Sequence, residues 1–169
     1  SNIAEAKAEF FEGMAPGSLA ILNCDNPYYK ILRNKAEAKG LEIWRFGQIS
    51  EADLRLLEYT ERGEKAEILL NCRGKLLRYT LAARGMHFAM NSAAVLGAVY
   101  ALGGELAYAA SMLDTFQPVA GRGNIVVTPE GVTIINEAYN ANPASVVAAL
   151  KTLASYSGSK PHHKKIAIL

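Results

Sequence analysis

Apolar residues along this chain recur at two spacings, and the switch from one to the other marks out its elements. Ile3, Phe10, Phe11 and Met14 fall together at helical spacing with Glu5, Glu9 and Glu12 opposite, which predicts an amphipathic helix over residues 3–14. Residues 18–23 read as a buried strand, 27–39 as a helix closed by Gly40, and 41–46 as the next strand. That succession implies a parallel, right-handed crossover. Over residues 52–81 the period drops to alternation in three runs, broken at Arg62-Gly63 and Arg73-Gly74, which predicts an antiparallel meander. Residues 86–102 are apolar nearly all round, the pattern of a buried helix, and a second helix over 105–116 follows Gly103-Gly104. Residues 117–123, with Pro118, Gly121 and Gly123, read as a hinge between domains. Beyond them, 124–128 and 132–136 form a hairpin across Pro129-Glu130-Gly131. Pro143 then opens a helix whose apolar positions are Val146, Ala149, Leu150 and Leu153, with Asn142 as its N-cap. The run 164–169 is of β type and calls for neighbours on both faces.

Candidate chemistry sits where polar residues interrupt these patterns. Lys7 falls within the apolar stripe of the first helix, between Ile3 and Phe10. Either it buries its stem and carries its ammonium to the edge, or it is a desolvated amine of lowered pKa, open to reaction or covalent modification. His87 and Asn91 project from the same side of the helix over 86–102. A buried Asn91 needs a ligand or a backbone partner, and local bonding together with Ser92 is the alternative. The polar loop over 136–142 joins a strand's carboxyl end to a helix's amino end, where α/β proteins place ligands and where free amides and the helix dipole favour phosphate or carboxylate. It also has the composition of a plain surface connection. Arg122, between two glycines, is free to reach a phosphate or ribose, or is a solvated turn arginine. Asn23 and Asp25 are explained by turn roles. Tyr59 and Tyr79 read as sheet-face aromatics in a meander without chemistry, and His162-His163 as part of a solvated linker.

Composition narrows the classes further. Half of the 169 residues are hydrophobic and a fifth charged, and the net charge of +2 is spread without a basic stripe, which argues against nucleic acid or an anionic membrane as partner. Cys24 and Cys72 stand far apart with no CxxC pattern and read as small apolar side chains in a reducing compartment. The longest apolar stretch, 88–102, is short and interrupted by Asn91, Ser92 and Gly97, so no membrane insertion is expected and a cytoplasmic location is. The two ends read as those of an excised fragment, with Ser1-Asn2 a cloning remnant.

Four stretches taken together, IAEAKAEFFEG at the start, GMHFAMNSAA in the apolar helix, GRG at the hinge and NEAYNANPAS after it, resemble in order and approximate spacing the Mur ligase superfamily, the ATP-dependent amide ligases of peptidoglycan precursor synthesis. The resemblance runs over nearly the whole chain. It implies an α/β fold: a partial three-layer central domain with a mixed sheet and antiparallel meander over residues 1–117, then the start of a Rossmann-like carboxyl-terminal domain over 118–169. The YNANP sequence resembles members that join D-alanyl-D-alanine to UDP-N-acetylmuramoyl-tripeptide, which would be the partners of a monomeric full-length enzyme. No GxxxxGK[ST] P-loop occurs in the sequence, so the piece is expected to be inactive alone.

By the same resemblance, Lys7 corresponds to a carbamylated lysine that helps hold Mg²⁺, and His87 and Asn91 to a GxHNxxN helix lying against adenine, with Phe88 in place of that motif's first Asn. Arg122 corresponds to an arginine on the ATP side of the hinge. Glu137 corresponds to an acidic residue that bonds the ribose. Tyr139, Asn140 and Asn142 correspond to the loop near the phosphates, with Ser145 a weaker member. The implied reaction is phosphoryl transfer from ATP to a carboxylate, followed by attack of an amine on the acyl phosphate. Two other readings stand beside it: a sister ligase such as folylpolyglutamate synthase or another Mur enzyme, and a non-catalytic nucleotide-binding or interaction module.

Overall fold

The structure is a computed structural model that describes residues 2–116, 124–139, 142–156 and 164–168. Arg122 and Asn140, with the rest of the hinge over 117–123 and His162 and His163, lie outside these described residues. The order is α1 (Asn2–Ala8), a 3-10 turn (Glu9–Gly13), β1 (Leu19–Asn23), α2 (Tyr29–Ala38), β2 (Glu42–Gly47), β3 (Leu54–Arg62), β4 (Lys65–Cys72), β5 (Lys75–Leu81), α3 (Met86–Ala101), α4 (Leu106–Met112), β6 (Asn124–Val127), β7 (Thr133–Asn136) and α5 (Pro143–Ser155).

The mixed sheet runs β1-β2-β3-β4-β5, parallel from β1 to β3 and antiparallel from β3 to β5, while β6 and β7 pair by themselves as a hairpin. Alternation along β1 and β2 gives each face its own helices. Ala20, Leu22 and Ile43 point to Ala8, Phe11, Ala36 and Leu41 on one side. Ile21, Trp44 and Phe46 point to the other side, where α3 lies. The three expected layers are therefore present. In the meander one face is covered among the described residues, and Leu54, Leu56, Ile68, Leu70, Cys72, Tyr79 and Leu81 pack there against Ala89, Met90, Ala93 and Leu96 of α3 and Leu106 and Ala110 of α4. The turn at Arg73-Gly74 places both residues at positive φ, 49° and 90°, the geometry that a two-residue hairpin needs.

Three expectations from the pattern need correction. The first helix turns a different face inward: Ala4, Ala8 and Phe11 are buried, while Ile3 and Phe10 are 71% and 82% exposed. Lys7 lies on the exposed side, off the face that α1 buries. The reason is close packing, because alanines let α1 approach α2, where Glu5 pairs with Lys35 at 2.6 Å, and the 3-10 turn after Ala8 swings Phe11 into the core. The apolar helix α3 is buried along one side only, and Asn91 and Val95 are exposed. Finally, residues 164–168 form no strand, and Ile166 and Ile168 are exposed.

α3 lies close against β3. A Cβ on Gly97 would sit 2.1 Å from Leu54 Cδ1, and Leu54 is fully buried and has nowhere to move. Gly97→Ala would gain about 1 kcal/mol of helix propensity against an overpacking cost near the upper end of the usual range, about 3 kcal/mol. The net expectation is a loss of ~2 kcal/mol, read as a lower urea midpoint; an unchanged midpoint would show that the helix does not sit this close.

Candidate functional site

The amino-terminal turn of α3 is built on a glycine in a conformation that other residues adopt only under strain. Gly85 is its N-cap at φ 109°, and a Cβ there would lie 2.7 Å from Cε1 of His87, whose ring folds back over the glycine. Gly85 N–H donates to the Tyr59 hydroxyl at 2.6 Å, which anchors the turn to β3. The His87 ring meets Phe88 tilted at 40° with 4.3 Å between centroids, and Phe88 meets Phe116 at 6.0 Å. Burial pushes the His87 imidazole below its ordinary value, which favours the neutral ring. One turn further on, Asn91 is exposed on the same side, with no hydrogen bond to its amide among the described residues. Ser92, by contrast, is buried and doubly bonded, to Ala89 O at 2.8 Å and to the Tyr79 hydroxyl at 2.6 Å.

The result is an edge with the His87 imidazole and, in Asn91, an amide offering both donors and an acceptor. Such a set fits a flat heteroaromatic group such as a purine. Phe88, at the position of the motif's first Asn, is half-buried against the core and therefore serves packing.

The second group of expected residues surrounds the start of α5. Glu137 is half-buried after β7, and burial holds its carboxyl above the ordinary range; it has no hydrogen-bond or ion-pair partner among the described residues. A carboxylate so placed suits hydroxyl donors. Tyr139 is exposed. Asn142 and Ser145 form a capping box: Ser145 N–H donates to Asn142 Oδ1 at 3.0 Å and Asn142 N–H to Ser145 Oγ at 2.9 Å. This corrects the expectation of free amides at the helix start. Two donors are satisfied internally and Pro143 has none, which leaves little backbone for an anion. Asn142 and Ser145 thus hold the loop's exit. Asn23 and Asp25 likewise serve turns: Asn23 accepts from Asp25 N–H at 2.9 Å and Asp25 from Gln48 N–H at 2.8 Å.

Lys7 stands apart from both groups, on α1 against α2. No three His, Cys, Asp or Glu side chains converge among the described residues, so these residues do not by themselves make a Mg²⁺ site. Among the described residues no helix is long and apolar enough to cross a membrane, and Cys24 and Cys72 are free thiols. Sequence reasoning missed Tyr59, whose hydroxyl holds the site helix from a strand; nothing in its local pattern marks it.

Because Gly85 has positive φ and the His87 ring lies against it, Gly85→Ala is expected to cost about 1–3 kcal/mol and to push the ring outward. Loss of burial raises an imidazole pKa, so the His87 titration followed by NMR should move up toward 6.5, the ordinary value from which burial lowers it. An unmoved titration would show that the glycine does not seat the ring.

Known proteins match most of this chain. Residues 1–99 match the family model described as the Mur ligase middle domain. UDP-N-acetylmuramoyl-tripeptide–D-alanyl-D-alanine ligase of Rickettsia prowazekii is 33% identical over 90% of this chain and 34% of its own length. UDP-N-acetylmuramate–L-alanine ligase of Streptomyces avermitilis is 28% identical over 88% of the chain and 32% of its own. Among solved structures, MurF from Acinetobacter baumannii superposes with a TM-score of 0.83 at 26% identity, over 94% of this chain and 34% of that one. The chain thus spans about a third of the length of the relatives it matches. With the family model covering more than half of its residues, this chain belongs to the Mur ligase family.

Proposed function

We propose that the chain is part of an ATP-dependent amide ligase that joins D-alanyl-D-alanine to UDP-N-acetylmuramoyl-tripeptide in peptidoglycan precursor synthesis in the cytoplasm. Residues 1–117 would be the later part of its ATP-binding domain and 118–169 the opening of its last domain. The observation that carries this reading is the edge of α3, where a neutral imidazole and an exposed amide stand side by side on a Mur ligase middle domain. The match to the Rickettsia ligase, whose substrates are those named, favours this member of the family.

In the proposed reaction the tripeptide's terminal carboxylate takes the γ-phosphoryl group of ATP, releasing ADP, and the dipeptide's amine attacks the acyl carbonyl. The tetrahedral intermediate collapses with loss of phosphate and of the amine's proton, forming the amide. Mg²⁺, when bound, supplies charge neutralisation at the phosphates and the developing oxyanion. On this chain, His87 and Asn91 would receive the base, and Glu137, raised by burial, would accept from ribose hydroxyls. Arg122 and Asn140 belong to the proposal from sequence alone. Tyr139 and Asn142 would line the phosphate side, with Asn142 acting chiefly through its cap on α5. Lys7 enters as its carbamate, which carries the oxygens that an ammonium lacks.

A second reading, a sister ligase with a different amino substrate, is favoured by the match to an L-alanine ligase. A panel of D-alanyl-D-alanine, L-alanine and D-glutamate offered to the full-length protein separates the two; turnover only with the dipeptide is expected, and turnover with L-alanine instead would replace the first reading. Lys7→Ala in that protein is expected to nearly abolish turnover without rescue by bicarbonate, whereas near-normal rates would make the lysine structural.

A further inference from the structure

Tyr59 on β3 and Arg84 in the link before α3 converge on one carboxylate. The Tyr59 hydroxyl donates to Glu61 Oε1 at 2.7 Å, and Arg84 donates to Glu61 Oε2 through Nε at 3.1 Å and also through its terminal nitrogen. The same Tyr59 oxygen accepts from Gly85 N–H. With side chains 9% and 23% exposed, Arg84 and Glu61 form the least exposed ion pair among the described residues. Such a pair, hydrogen-bonded on both carboxylate oxygens, holds geometry in a way that a solvated surface pair does not. Burial by itself would raise the Glu61 carboxyl, but the hydrogen bonds from Tyr59 and Arg84 bring it below its ordinary value, and burial pushes the Tyr59 phenol far up, so that it keeps the proton it donates. The guanidinium also lies 5.2 Å from the ring centroid of Tyr156, the C-cap of α5, within cation–π range.

We propose that Arg84 is a positioning residue: held between Glu61 and the Tyr156 ring, and acting with Tyr59, it sets the amino-terminal turn of α3 and hence the placing of His87 and Asn91 on the nucleotide. The proposal rests on reading that edge as the nucleotide site. It assigns to the meander a part in the chemistry that its sequence pattern conceals.

The test uses the full-length ligase carrying this segment, with ATP for kinetics and ADP for isothermal titration. Tyr59→Phe keeps the ring and removes both hydrogen bonds; Arg84→Met keeps the stem and removes the charge. Each is expected to raise KM for ATP and Kd for ADP by about tenfold, the effect of ~1.4 kcal/mol of lost positioning, with kcat changing far less and with Arg84→Lys recovering part of the loss. Values within twofold of wild type in folded Tyr59→Phe and Arg84→Met proteins would overturn the proposal while leaving the site reading intact. If Arg84→Met does not fold, Tyr59→Phe decides alone. A wild-type protein that binds no ADP overturns the site reading and the proposal together.

Discussion

The contact between Gly97 and Leu54 sets the depth at which α3 lies on the sheet, and with it the edge that carries His87 and Asn91. A helix whose interior lacks one Cβ can lie against the sheet at a distance that any larger side chain would forbid, and Leu54 fills the space so released. Ala89, Ala93 and Leu96 enter the core with it. The Tyr79–Ser92 hydrogen bond then fixes the helix in rotation as well as in depth. Once those residues face inward, His87 lies at the rim and Asn91 and Val95 have no alternative to facing outward. An edge suited to a flat ligand is thus a by-product of close packing on the opposite side.

The amino end of the same helix is set by polar contacts instead. Gly85 lacks a side-chain cap, and its N–H is taken up by a tyrosine from β3, itself bonded to a carboxylate that an arginine next to the glycine neutralises. Partial burial makes this chain of bonds stiffer than a solvated one, and removal of one member leaves its partners part-buried and short of a bond. The start of α5 follows another rule. Its capping box closes the helix with its own residues, so an Asn-rich loop that looks made for an anion spends two of its donors on itself. What remains for a ligand there is the half-buried carboxylate of Glu137.

The first helix shows how side-chain size misleads. Ile3 and Phe10 lie outside, while Ala4 and Ala8 lie inside, because the two alanines allow the helix axis to approach α2 and larger residues there would not. Lys7 travels with the exposed set.

Period and punctuation alone determined the element types: the switch to alternation over the meander, the breaks at Gly63 and Gly74, the αL stop at Gly40, and the Asn142-Pro143 start of α5 all express local backbone preferences that neighbours do not need to supply. The family resemblance rested on four such local stretches and pointed to His87 and Asn91 without knowing which way they face. Tertiary structure decided the rotation of α1 and α3 about their axes, and with it the exposure of Lys7 and Asn91. It also decided the meeting of Tyr59, Glu61 and Arg84. Helical spacing specifies which residues share a face, but which face is buried depends on how closely the neighbouring backbone can come, and a hydrogen bond between residues 26 apart leaves no trace in either period.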